Sequence, residues 1–144
     1  MTDPLVLPPP RGRIRLVVDA SALLALVLDP GPRADTIAEL IAGNELHAPH
    51  LLPFELSNVL RRQRLAGRIT LGQAAEFESA LSRLPIELWP HEPVAARVRE
   101  LGDVLTAYDA SYVAVAELLG ATLVTMDHRL AGAPGVRCPI TAPE

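Results

Sequence analysis

The sequence predicts an α/β domain with a mostly parallel central sheet flanked by helices. Three observations lead there. Short β-branched, apolar runs recur along the chain; segments of helical spacing, long enough to be crossovers rather than hairpin turns, separate them. The 144 residues suit one domain, and 49% of them are apolar, enough to fill its core.

The elements follow in order. "MTDPLVLPPPRGR", residues 1–13, carries prolines that oppose helix and lacks the basic-then-apolar layout of a signal peptide, so it reads as a flexible arm before a single domain over 14–144. "RIRLVV" reads as a strand and "ASALLALVL" as a helix stopped at Asp29-Pro30-Gly31-Pro32. "RADTIAELIAG" has helical spacing at Ile37, Leu40 and Ile41, with Gly43 as its stop, and "ELHAP" is a short strand. "LLPFELSNVLRRQRLAG" is a helix with Pro53 in its first turn and Leu52, Leu56, Val59 and Leu60 on one face. Thr70 caps "LGQAAEFESALSRL". "IELW" is a strand, "EPVAARVRELGDVL" and "AYDASYVAVAELLG" are helices, the second ended by Gly120, "ATLVT" is a strand, and "VRCPI" is a last edge strand. Parallel strands joined by right-handed crossovers end on one edge of the sheet, outside which ligands bind.

Two of the predicted strands run into an aspartate, Asp19 and Asp127. Each residue sits where a helix N-cap would be, and a cap is the plain explanation for either one. Two further acids change the picture. Glu55 lies three residues after Leu52 and four before Val59, at the border of an apolar face. Asp109 precedes the core-spaced Tyr112, Val113 and Ala116. Charged side chains rarely border a core without a partner. If the four acids meet, their mutual repulsion calls for a hard divalent cation. Such an ion lowers the pKa of water and neutralises charge on a phosphoryl oxygen, chemistry suited to phosphodiester cleavage.

In chain order, "VVDASALLAL", "FELSNVLRR", "TAYDASYVAVAE" and "LVTMDHRL" resemble the four signature segments of PIN-domain ribonucleases, in particular the VapC toxins of VapBC toxin–antitoxin pairs. The resemblance runs from about Ile14 to Ile140 and rests on the ordered set, including "ExxN" at Glu55 to Asn58 and "YDAxY" at Tyr108 to Tyr112. It implies a PIN-like three-layer sandwich. It makes Asp19, Glu55, Asp109 and Asp127 metal-binding acids, with Glu55 either a ligand or a base, and Ser21, Asn58 and Thr125 polar supporting residues. It further implies Mg2+- or Mn2+-dependent cleavage of a structured cellular RNA, a homodimer, and a VapB-type antitoxin. The arm before Ile14 departs from relatives that begin almost at the first strand.

Composition narrows the alternatives. The net charge is −4, so RNA contact must come from local groups. All 13 basic residues are arginine. Arg61, Arg62 and Arg64 of "RRQR", and above all Arg129 beside Asp127, are candidate phosphate contacts, or else an ordinary solvated face. The absence of lysine argues against phosphoaspartate proteins, which use one at the phosphoryl group. His47, His50, His91 and His128 lack zinc spacing, and Cys138 is alone. The few aromatics are expected mostly in the core. With no apolar run near membrane length, the cytoplasm is the expected location. A surplus apolar face on the two central helices would serve a dimer or an antitoxin helix. The remaining rival is a PIN-like module that binds RNA or a partner without cutting.

Overall fold

The computed structural model describes residues 12–144; the arm expected over 1–13 lies outside them but for Gly12 and Arg13. Five strands form one sheet in the order β3-β2-β1-β4-β5, and every pairing is parallel. The central strand β1 (Arg15–Val18) registers Leu16 against Leu46 on one side and Val18 against Val124 on the other. Leu16, Val17 and Val18 are all buried although successive side chains point to opposite faces, so both faces of the sheet are covered and the domain has three layers.

Helix α1 (Ala20–Leu28) follows β1 directly, and α2 (Pro32–Ala42) starts with Pro32, whose missing N–H costs nothing at a helix start. β2 (Glu45–Pro49) leads to α3 (Leu52–Leu65), which buries Leu52, Leu56 and Leu60 as a strict i, i+4 stripe and leaves Val59 half-buried. α4 (Leu71–Ser82) begins in a capping box: Thr70 accepts from the Gln73 amide while the Gln73 side chain accepts from the Thr70 amide. β3 (Ile86–Trp89) closes one edge of the sheet.

The segment expected as a single helix over "EPVAARVRELGDVL" is broken into a 3-10 turn at Glu92–Val94, α5 (Ala95–Glu100) and a second 3-10 turn at Leu101–Asp103. Pro93 has no N–H to donate, and Gly102 weakens the continuation. The Leu101 carbonyl takes both the Val104 and Leu105 amides, tightening the end. α6 (Ala107–Leu119) buries seven residues, five of them alanine or valine, and packs across β1, β2 and β4. Gly120 ends it at φ 63°, the left-handed conformation that favours glycine.

After β4 (Thr122–Val124) a 3-10 turn spans His128–Gly132. The final strand β5 is Ile140–Thr141, later and shorter than the expected Val136–Ile140. Val136 is tied into a turn by its bond to the Ala133 carbonyl, and pairing with β4 starts only where the Pro139 carbonyl accepts from Leu123. Of the aromatics, Tyr112 is buried and Phe77 and Trp89 pack against the core. Phe54 and Tyr108 depart from the core expectation at 77% and 63% exposed. Among the described residues, no helix is long and apolar enough to cross a membrane.

Candidate metal and phosphodiester site

The chain runs from β1 outward to β2 and β3, then returns to lay β4 on the other side of β1. That reversal opens a crevice at the carboxyl ends of β1 and β4, the usual ligand position in such sheets. The Asp19 amide bonds across it to the Val124 carbonyl at 3.2 Å.

Asp19 is both a cap and part of a cluster. Its Oδ1 accepts from the Ala22 amide at 3.0 Å and from the Ser21 hydroxyl at 2.6 Å. Its Oδ2 accepts from the Thr125 hydroxyl. Thr125 Oγ1 in turn takes the Asp127 amide at 2.9 Å, and Ser21 Oγ takes the Met126 amide at 2.9 Å. Ser21 and Thr125, both expected as supporting residues, thus tie the loop after β4 to the start of α1.

Glu55 and Asp109 enter from the first turns of α3 and α6. All four acids stand at the N-terminal ends of helices or helical turns, where aligned amides favour negative charge. Glu55 Oε1 accepts from the Tyr112 hydroxyl at 2.5 Å. Burial holds the Asp19 carboxyl above its ordinary range, against the pull of its hydrogen bonds, and Asp109 adds repulsion. Burial likewise raises Glu55, with Asp19 and Asp109 adding to it and Tyr112 opposing. Three of the acids therefore feel one another's charge.

Asp127 is disposed differently. It caps the 3-10 turn through the Arg129 amide, and its two oxygens take Arg129 Nε at 3.0 Å and Nη2 at 2.7 Å. That pairing holds its carboxyl below the usual range. Asp109, Asp127 and Arg129 line a common cleft of about 480 Å3 with Thr106. Among the described residues no three His, Cys, Asp or Glu side chains stand ready to share one ion. The donor set nonetheless fits a hard divalent cation: carboxylate oxygens only, two of the carboxyls protonating more readily than usual, and among the described residues no cation beside Asp19 or Glu55. Asp127 is held apart from that set by its pair with Arg129, whose side chain is 87% exposed.

The other expected residues divide. The bonds of the acids run to Ser21, Thr125, Tyr112 and Arg129, not to Asn58, which lies exposed on α3. Arg61, Arg62 and Arg64 belong to the far half of α3, roughly 9 to 14 Å along its axis from Glu55. His47 is buried in a structural network, bonded to Glu45 at 2.6 Å and receiving the Trp89 indole at 3.0 Å. Tyr112 is the residue that sequence reasoning placed only in the core; its position three after Asp109 on the same helix was the available signal for more.

Residues 16–136 match the PIN domain family. The chain is 45% identical over 129 residues to the VapC ribonuclease Mb0985 of Mycobacterium bovis, covering 88% of this chain and 96% of that one. Among solved structures, PAE2754 from Pyrobaculum aerophilum superposes with a TM-score of 0.67 at 28% identity, over 97% of this chain and 91% of that one. VapBC2 from Rickettsia felis, bound to a DNA fragment from its promoter, gives 0.65 at 12% identity, over 91% of this chain and all of that one, a likeness of fold.

Proposed function

The chain belongs to the PIN-domain family and, within it, to the VapC ribonucleases, and from that membership we propose that it is a toxin cutting structured cellular RNA with Mg2+ or Mn2+. The observation that carries the reading is the mutual repulsion of Asp19, Glu55 and Asp109, which start or cap the helices α1, α3 and α6. Two of these carboxyls are raised by burial, with no cation beside them among the described residues. A purely structural site gains nothing from a repulsive carboxylate cluster.

Asp19, Asp109 and Asp127, with Glu55 as fourth ligand or as base, would hold the ion. Bound there, it supplies a more acidic water and compensates charge developing on the phosphate. The protein's own groups do the rest. Thr125 and Ser21 fix the Asp19 carboxylate in one orientation. Tyr112 occupies Glu55 Oε1, which leaves Oε2 to face the ion as a ligand or, as a base, to take a proton from the attacking water. Arg129, once released from Asp127, offers a planar fork to a phosphate.

Membership of the VapC family further supports a homodimer and a VapB-type antitoxin, with action in the cytoplasm. The Asp127–Arg129 pair favours a second reading, a PIN-like module that binds RNA without cutting, because it neutralises one of the four acids. Purified protein incubated with cellular RNA separates the two. Cleavage with Mg2+ or Mn2+ that stops with EDTA and in Asp19→Asn supports the nuclease. RNA binding with no cut ends under any metal condition supports the module.

A further inference from the structure

A second hollow, of about 220 Å3, lies on the same edge of the sheet. His50 and Leu51 after β2, Trp89 and His91 at the end of β3, and Tyr108 and Ser111 on α6 form its walls. It adjoins the acids on two sides. The Glu55 amide donates to the Leu51 carbonyl at 3.1 Å, and Tyr108 immediately precedes Asp109. The hollow is already formed, because the His50 amide bonds to the Trp89 carbonyl at 2.8 Å and pins the two loops together.

Its chemistry is that of a stacking site. The Ser111 hydroxyl is committed to the Tyr108 carbonyl at 2.6 Å and the Trp89 indole N–H to His47, so what the lining presents is the rings of His50, Trp89, His91 and Tyr108 beside the aliphatic Val94 and Val98. Tyr108 is 63% exposed, a cost to a free-standing domain that a stacked partner would remove. Charge also points to stacking. With a net charge of −4 and four acids at the crevice, bulk attraction cannot hold a polyanion there. Single-stranded RNA is commonly held instead by bases splayed onto aromatic and histidine rings.

We propose that this hollow is a base subsite: it takes the nucleobase next to the scissile phosphate, stacked on Tyr108, and makes Tyr108 a specificity-determining residue. The proposal rests on the ribonuclease reading, so its test includes a readout that needs no cutting. The full chain, free of divalent ions, is titrated with each of the four nucleoside 5′-monophosphates while the aromatic NMR signals are followed. Shifts at Tyr108, His50 and His91 are expected in the wild type, those at His50 and His91 vanishing in Tyr108→Ala; shifts confined to other residues, or none, overturn the subsite. A wild-type chain that shifts in this way yet cuts no RNA counts against the nuclease and for the hollow.

The second arm cleaves a hairpin RNA with a randomised loop and sequences the ends. The wild type should prefer one base at a position flanking the cut. Tyr108→Ala should flatten that preference and lower kcat/KM on the preferred loop by roughly 5- to 150-fold, the range of a lost base stack, while Tyr108→Phe keeps both. An unchanged preference in Tyr108→Ala overturns the proposal. So does a variant whose preference is intact but whose dimer dissociates in sedimentation, which would make the hollow a contact between copies of the chain.

Discussion

The Thr125 hydroxyl donates to the Asp19 carboxylate across 106 positions of sequence and accepts the Asp127 amide with the same oxygen. One small side chain thereby orients the buried acid and shapes the loop that carries another. Thr125→Val keeps the volume and removes both bonds. It should destabilise the fold by about 1.5–3 kcal/mol, the scale of a buried hydrogen bond to a charged group, and lower cleavage. Thr125→Ser should restore most of both. Denaturant melts and initial rates on one RNA check this.

Asp19 binds its proton more tightly folded than unfolded, because burial raises its carboxyl. Its contribution to stability is therefore greatest below the unfolded carboxylate range and is lost as pH rises through the folded value. Asp19→Asn removes that penalty while keeping an oxygen to cap α1. The variant should melt higher than the wild type at neutral pH, with the gap closing in acid, and cut no RNA. Asp19→Ala also loses the cap and should forfeit about 0.5–2 kcal/mol relative to Asn. Thermal melts from acid to neutral pH decide it.

Tyr112 lends Glu55 a hydrogen bond that partly offsets the rise caused by burial. Tyr112→Phe keeps the buried ring and deletes the donor. The Glu55 carboxyl should then rise further, so the acid limb of the rate–pH profile should move to higher pH. A profile that scales down without moving would assign Tyr112 to packing alone.

Arg129 occupies both oxygens of Asp127. Arg129→Gln should free that carboxylate and tighten Mn2+ binding by about two- to fivefold, as expected for an exposed ion pair removed, while weakening RNA binding. Electron paramagnetic resonance of free Mn2+ follows the first effect and filter binding the second. Asp127 itself should protonate more readily in the variant, because the arginine no longer holds its carboxyl down.

The order of strands and helices was legible because each strand is short, β-branched and bounded by helical spacing. Caps were legible where the chemistry is local, as at Thr70 and Gly120. The broken helix around α5 was not, since its periodicity is helical and only the backbone shows the Leu101 carbonyl taking two amides. Asp19 could be read as a cap or as a site acid; the structure shows the cap, and the hydroxyls of Ser21 and Thr125 on the same carboxylate are what spacing could not show. Tyr112 as a partner of Glu55 was invisible because that contact joins helices 57 positions apart. The turn of Asp127 toward Arg129 is a matter of rotamers, which spacing does not encode.

The placement of β1 between β2 and β4 has a bearing on synthesis. Asp19 leaves the ribosome early, while its hydroxyl donor from the loop after β4 comes more than a hundred residues later. A chain interrupted before that point carries three of the four acids but lacks both the hydroxyl that orients Asp19 and the loop that brings Asp127. Nascent and prematurely terminated copies should therefore be harmless to the cell that makes them, and damage should begin only with chains translated nearly to their end.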